Sequence, residues 1–421
     1  MYQPKFYAKI ELIFKYNPNP LIIKMQLIIV SLLLFFEKQT MGGSSLFKFI
    51  ATAFLSIVLL VCCKQPTTKQ ENTPESNGVK YATGFTISEV ENFTVISIVN
   101  PESNTKKQLT YALAEKDVVI KNPDSYDAVL RIPLNKIVVT STTHIPSLEA
   151  LGEENSLVGF PNLKYISSKK TRDNISKGRV KELGNNQDIN TEVLLELAPD
   201  VVVGFTLEGN NKSLQIIKNT GIPVLINADW RETHPLGKAE WIKFFGVLYN
   251  KTQQADSIFN TIETNYNQAK KLAQNTTLKP TVISGAMYKD IWYMPKGDSW
   301  AARFIEDANG DYLWKDTKGT GSIALNIESV LEKGQQAKFW IGPGQFTAKE
   351  QMLDFNTVYG EFDAFKNNNI FSFTNKKGAS GGVIYYELAP NRPDLVLKDI
   401  ISILHPTLLK DYQPHFFEAI K

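Results

Sequence analysis

KIVVTSTTHIPSLEALGEENSLVGF, residues 136–160, decides the fold class. An apolar run, KIVVTS (136–141), ends in a Ser-Thr-Thr-His loop; a short helical pattern, IPSLEALG (145–152), is closed by Gly152; SLVGF (156–160) is apolar again. Short apolar strands alternating with helices specify a parallel sheet covered on both faces. The rhythm continues through INTEVLLELAPD (189–200), a helix that Asn190 or Thr191 can cap, then VVVGF (201–205), SLQIIKNTG (213–221) and PVLI (223–226). It returns later in KPTVISG (279–285), SWAARFIEDANG (299–310), NIESVLEKG (326–334), KFWIGPG (338–344), NIFSF (369–373) and RPDLVLKDIISILH (392–405). The sequence therefore holds two α/β lobes, 136–234 and 279–421.

Between them lies NADWRETHPLGKAEWIKFF (227–245), in which a buried strand discharges into Trp230, Arg231, Glu232 and His234. From Leu236 to Gln274 no proline intervenes, and Trp241, Phe244, Phe245, Leu248, Ile258, Phe259, Ile262 and Tyr266 recur at helical intervals. The pattern predicts one interlobe helix over 235–275, roughly 55 Å long at 1.5 Å per residue. Ligands of open parallel sheets bind beyond the carboxyl ends of the strands. The loops after KIVVTS, VVVGF and PVLI are thus expected to face those after TVISG, KFWIG and NIFSF across a common cleft.

Upstream, residues 79–135 carry short alternating stretches, FTVISIV and KKQLTYALA among them, which read as antiparallel hairpins. Residues 64–78, KQPTTKQENTPESNG, read as a flexible tether. Residues 41–63 pair an early Lys48 with about fifteen apolar residues and then Cys62 and Cys63, the pattern of a signal peptide. Neighbouring cysteines are poorly placed for a structural disulfide. They resemble instead the lipidation site of bacterial lipoproteins, at Cys63 or Cys62. A second apolar run within residues 1–40 makes these an expected over-extension of the reading frame, with translation starting at Met41.

Charge excludes one class of partner: 46 Lys and Arg against 43 Asp and Glu leave +3, with no basic stripe for nucleic acid. Only four histidines are present, His144, His234, His405 and His415, too few for a site holding bare zinc or manganese. Ser380 stands among glycines in KKGASGGVIYY (376–386), but it follows Ala379 and so departs from the G-x-S-x-G elbow of hydrolases. A flexible cleft loop fits better. A hydrolase-like or purely structural envelope lipoprotein is the alternative to a carrier.

The two lobes, the linking helix and the leader resemble the substrate-binding proteins of ABC importers for iron–siderophore, haem or cobalamin. The resemblance spans about 136–405 and is carried by 136–160, LLELAPDVVVGF (194–205), TGIPVLI (220–226) and the long helix. Similarity to a Bacteroidota-type subgroup is carried by DWRETHPLGKAEWIKFFG (229–246), MPKGDSWAARFIEDANGDYLW (294–314) and YYELAPNRPDLVLKDIISILHP (385–406). It implies two Rossmann-like lobes with parallel sheets, joined by one long rigid helix behind a small N-terminal β region. It implies a monomeric, non-enzymatic carrier without intrinsic cofactor, lipid-anchored at the periplasmic face of the cell envelope, with an ABC permease and its ATPase as partners. Rim glutamates of such proteins pair with permease arginines; Glu208 in the first lobe and Glu350 or Glu361 in the second are the candidates here.

A bulky metal chelate suits broad aromatic faces with a few charged anchors. The cleft loops offer Thr142, Thr143, His144, Trp230, Arg231, Tyr288, Trp292, Tyr293, Trp300, Tyr385, Tyr386 and Arg392. About half are expected to line the cleft, since IWYM and VIYY also read as strands and Trp230 could instead plug the junction of sheet and helix. Arginine would fork onto carboxylate or catecholate oxygens, and His144 could serve haem as an axial ligand.

Overall fold

The computed structural model describes residues 78–100, 108–205 and 211–421. The leader with Cys62 and Cys63, and Glu208, lie outside the described residues. Four strands open the body: β1 (Phe85–Val90), β2 (Phe93–Val99), β3 (Gln108–Ala114) and β4 (Ala128–Arg131). The first three are antiparallel as expected, whereas β4 runs parallel to β3, pairing Ala128 with Tyr111. Residues 115–127 form the crossover that a parallel pair requires, so this part is not built of hairpins alone. One face of the sheet, with Phe85, Ile96, Ile98 and Leu113, joins the main core; the other carries a small cluster around Phe93, Val95 and Ile120.

The first lobe holds β5 (Ile137–Val139), α1 (Ile145–Ala150), β6 (Leu157–Phe160), α2 (Lys169–Ser176), β7 (Lys181–Glu182), the hairpin β8 (Gly184–Asn185) and β9 (Asp188–Ile189), α3 (Thr191–Leu197), β10 (Val201–Gly204), α4 (Lys212–Asn219) and β11 (Val224–Ile226). Its sheet is parallel throughout, in the order β11-β10-β5-β6-β7. Period-two geometry divides the valine runs between two cores. Ile137, Val139, Val201 and Val203 face the main core, and Val138, Val202 and Val224 face a second one under α3 and α4. Asn190 is the cap of α3, its side chain accepting from Val193 N at 3.1 Å.

The interlobe segment departs from the single rod that its periodicity predicts. It forms α5 (Pro235–Glu240), α6 (Ile242–Leu248) and a 23-residue α7 (Thr252–Gln274). Asn250 breaks the path in the left-handed region, with φ 54°. The chain folds back there, and α6 packs against the start of α7. Gly246 makes this possible, because a Cβ at that position would meet Ala255 Cβ at 2.6 Å. Helical periodicity survives on both sides of the turn, so the apolar pattern cannot reveal it. The rod that remains spans about 35 Å at 1.5 Å per residue and lies along the second lobe's last long helix.

That lobe comprises β12 (Thr281–Ser284), β13 (Ala286–Tyr288), β14 (Ile291–Pro295), α8 (Trp300–Asp307), β15 (Asp311–Tyr312), β16 (Ser322–Leu325), α9 (Ile327–Gly334), β17 (Phe339–Ile341), α10 (Lys349–Phe355), α11 (Asp363–Lys366), β18 (Ile370–Ser372), α12 (Ile384–Leu388), α13 (Pro393–Leu404) and β19 (Glu418–Ala419). The main sheet runs β15-β12-β17-β18-β19, parallel except for β19; β13, β14 and β16 form a small antiparallel sheet beside it. VIYY is helical, at the start of α12, rather than a strand. The architecture is that of two parallel-sheet lobes, a long connecting helix and a small N-terminal β region.

Candidate functional site

The carboxyl ends of both parallel sheets open into cavities, as open-sheet topology requires. In the second lobe a cavity of about 580 Å³ is lined by Ser284–Met287 at and beyond the end of β12, by Ile341, Gly342, Gly344 and Phe346 at and beyond the end of β17, and by Phe373 after β18. Aromatic walls dominate it. Phe373 stacks on Tyr385 with centroids 4.2 Å apart; Trp300 lies 6.1 Å from Tyr385; Tyr288, Tyr293, Phe355 and Tyr386 stand exposed at its rim. Gly285, at φ 76°, turns the chain at the floor, where any Cβ would collide with Tyr293 O at 1.9 Å.

The first lobe contributes a smaller cavity of about 280 Å³. Thr140, Ser141 and Thr142 follow β5, Phe160 ends β6 and Pro161 and Asn162 follow it, and Phe205 follows β10; Gly382, Val383 and Tyr386 reach across from the second lobe. Tyr386 lines both cavities, so the two form one cleft divided by its ring. Its phenol accepts a hydrogen bond from Gln345 Nε2 at 3.0 Å.

Polar straps join the lobes beside this cleft. Asn391 donates to Thr143 O at 2.8 Å and accepts from Ser147 Oγ at 2.7 Å. Glu387, on α12, accepts from Ser167 N at 2.6 Å and Ser168 N at 2.8 Å. Burial pushes the Glu387 carboxyl up to about 7, against the pull of those two amides and with the Glu149 charge adding to the rise. The Ser380 hydroxyl donates to Ile166 O at 3.0 Å, a strap rather than the poise of a nucleophile. Gly378 and Gly382 let this loop lie on lobe one, since Cβ atoms there would meet Ser167 Cα at 2.6 Å and Tyr165 O at 2.3 Å.

The residues singled out from sequence divide. Tyr288, Tyr293, Trp300, Tyr385 and Tyr386 line the larger cavity and Thr142 the smaller. Thr143 turns inward, its hydroxyl 2.9 Å from Ser141 Oγ. Trp292 is fully buried, stacked on Trp340 at 5.1 Å and donating to Ser284 O at 3.0 Å, so it supports the floor from beneath instead of facing cargo. His144 is equally sealed, its ring against Phe245 and both nitrogens without a hydrogen-bond partner. Burial takes its pKa down to about 4 against the pull of Asp229, and the ring offers no open coordination face.

Neither predicted arginine is an anchor in these cavities. Arg392 forks onto Asp394, with both bonds at 2.9 Å, and lines a separate cavity behind the straps with Glu149 and Ile258. Arg231 is exposed and Trp230 is 37% exposed, and neither lines the cleft cavities. Glu350 and Glu361 are exposed on α10 and the turn after it, and Glu361 pairs loosely with Lys366 at 3.5 Å. Among the described residues no group of three His, Cys, Asp or Glu side chains could hold a metal ion.

Sequence reasoning missed Phe346, Phe355, Phe373 and Phe417, which complete the aromatic walls; only the Gly-Pro-Gly after β17 hinted at a loop there. It also missed Lys238. This buried ammonium donates to Asp229 O at 3.0 Å and Trp230 O at 3.1 Å, and lies 5.1 Å from the Trp300 ring. It ties the last loop of lobe one to the wall of the larger cavity, and burial lowers its pKa.

The profile of the periplasmic binding protein family matches residues 137–376. An uncharacterised lipoprotein of Methanocaldococcus jannaschii is 29% identical over 298 residues, covering 69% of each chain, and a second from the same organism is 25% identical over 301 residues, covering 68% of this chain and 74% of its own. Among solved structures, a periplasmic binding protein from Veillonella parvula superposes with a TM-score of 0.51 at 14% identity, over 78% of this chain and 96% of that one. A possible iron-binding, periplasmic solute-binding protein from Staphylococcus epidermidis gives a TM-score of 0.50 at 18% identity, over 65% of this chain and 99% of that one. From the first strand of lobe one to the loop that straps the lobes together, the profile spans more than half of the sequence, and the chain belongs to the periplasmic binding protein family.

Proposed function

We propose that this chain is the substrate-binding lipoprotein of an ABC importer, taking a ferric-siderophore-type chelate, haem or cobalamin between its lobes and handing it to a permease. Members of the family bind solutes for ABC transporters and carry no intrinsic cofactor; what they hold is the transported ligand. The observation that carries the finer reading is the cleft itself: two cavities at the strand ends of opposite lobes, walled by Trp300, Tyr385, Tyr386 and Phe373 and joined at one tyrosine. Broad ring faces suit a bulky chelate better than a sugar or amino acid, which would ask for many directional polar groups. The iron-binding description of the Staphylococcus epidermidis relative points the same way. ATP hydrolysis then belongs to a separate ATPase chain, and the Ser380 hydroxyl, bonded to Ile166 O, supports reading this chain as a carrier.

The lipoprotein names of the archaeal relatives agree with an anchor at Cys63 or Cys62, which would hold the body at the periplasmic face. Glu350 or Glu361, and Glu208, remain the proposed contacts to permease arginines, with the carrier acting as a monomer. Purifying the protein from its native cells and subjecting it to native mass spectrometry with elemental analysis tests this reading. A bound iron or cobalt complex is expected, held more weakly by a Trp300→Ala variant. Protein that carries no such complex, and takes none up on exposure, would end it.

A further inference from the structure

The cleft is unusual in what it lacks. No Lys, Arg, Asp or Glu lines either cavity among the described residues. Both arginines that the sequence offered as anchors are elsewhere: Arg392 is spent on Asp394, and Arg231 is in solvent. Two exposed cations, Lys164 and Lys289, lie over the outer rings of Tyr165 and Tyr288 at 5.1 and 5.7 Å. There water and salt screen them, so they supply little to a buried ligand. The polar side chains that line the cavities are neutral, among them the phenols, Gln345, Asn162, Asn186 and the hydroxyls of Ser284 and Thr140 to Thr142. Asn186 donates to Thr140 O at 3.0 Å, while its own carbonyl oxygen is buried without a partner and is free to accept from a cargo N–H or O–H.

From this we infer that the carrier selects an electroneutral metal complex, one bearing neutral hydrogen-bond donors such as amides, and discriminates against anionic chelates. The inference rests on the carrier reading above and narrows it. A multiply charged complex entering these walls would shed water from its charge and find no counter-ion among the described lining residues, since the Lys238 ammonium lies behind the Trp300 ring, donating to Asp229 O and Trp230 O. A neutral corrinoid or a neutral ferric tris-hydroxamate would lose only weakly held water to the rings and keep its amide hydrogen bonds. Haem, with two carboxylates, and a triply anionic ferric tris-catecholate would each leave charge unpaired.

Equilibrium dialysis of the full-length protein in detergent, read by metal content, tests the inference with four probes: cyanocobalamin, a neutral ferric tris-hydroxamate, haem and a ferric tris-catecholate. At least one neutral probe is expected to bind at least about tenfold tighter than either anion, with an affinity unchanged by added salt. Which neutral probe binds separates the corrinoid source from the hydroxamate source. Gln345→Lys places a cation at the rim of the larger cavity, and should raise the affinity of the anionic probes relative to the neutral one by about tenfold. Anions bound as tightly as the best neutral probe by the unaltered protein would overturn the electroneutral inference and leave the carrier reading standing. Failure of all four to bind would overturn the carrier reading, and this inference with it.

Discussion

Replacing Glu387 with glutamine should change the stability of the protein by an amount whose dependence on pH is fixed by the geometry. The carboxyl is 4% exposed and faces Ser167 N and Ser168 N across the lobe boundary, with Glu149 as the neighbouring charge. Its folded pKa is about 7 against an ordinary 4.5. Between those values the native state holds a proton that the unfolded chain has released, so acid favours the native state. The contribution is complete below 4.5 and is lost as pH rises through about 7. At 1.36 kcal/mol per pKa unit the swing has a ceiling of roughly 3 kcal/mol. Glutamine keeps one carbonyl acceptor and does not titrate, so the difference in unfolding free energy, unaltered protein minus variant, should fall by about 2–3 kcal/mol from pH 4.5 to pH 8. Urea unfolding across that range measures it, because every other titration cancels in the difference. Glu149→Gln should lower the window by removing the neighbouring charge. A difference that stays flat with pH, or one that grows as pH rises, would refute the assignment of Glu387 as a buried acid between the lobes.

Further outcomes follow from other buried groups. Glu240 is fully buried, accepts from Lys80 N, Tyr81 N and Ala82 N at 2.8, 2.6 and 2.9 Å, and pairs with the buried Lys243 at 3.0 Å. Glu240→Ala should cost about 3–5 kcal/mol and speed hydrogen exchange at those three amides; unchanged exchange would count against it. His144 stays neutral until pH falls to about 4, so from its ordinary value of 6.5 downward the unfolded state binds the proton first and stability is lost. His144→Leu should flatten that loss and leave haem affinity unaltered, whereas a drop in haem affinity would restore the ring as a ligand. Trp300→Ala removes the wall beneath Lys238 and should weaken cargo binding by about tenfold, seen in dialysis as a shifted Kd. Trp230 and Arg231 line neither cavity, so their joint replacement by alanine should leave the Kd within about twofold.

How much of this was legible in the sequence depends on the kind of force that positions each part. Apolar periodicity is written residue by residue, so both parallel sheets, the cleft at their strand ends and the long helical segment could be read. Backbone amides carry no such signature. Nothing in the pattern around Glu232 and Glu240 names their partners, yet Glu240 holds Lys80 to Ala82 and Glu232 holds Thr83 N and Gly84 N at 2.9 and 2.8 Å. They are why PVLI gives way at once to a charged stretch: it grips the N-terminal segment. Asp399 does the same for the other end of the chain, accepting from His415 N, Phe416 N and Phe417 N at 2.8, 2.5 and 3.2 Å, and so brings Phe417 to the cavity wall. A buried carboxylate bound to peptide N–H groups has no partner that a sequence pattern can point to.

The same distinction explains why a broken rod still leaves a fixed cleft. A continuous helix from Leu236 would set the lobe spacing by its own stiffness. The fold-back at Asn250 moves that task to side chains, with Asn391, Glu387 and Ser380 holding lobe two to lobe one from several directions. Each bond alone contributes only about 1 kcal/mol, or somewhat more where the acceptor is charged, yet they are clustered beside the cavities, where a small rotation would lengthen all of them together. The rings of Trp300, Tyr385 and Tyr386 are thereby held near their cargo-facing positions before any cargo arrives, which reduces the ordering cost of binding. Aromatic walls with few directional groups depend on that preorganisation, because apolar contact is strong only when the facing surfaces already fit.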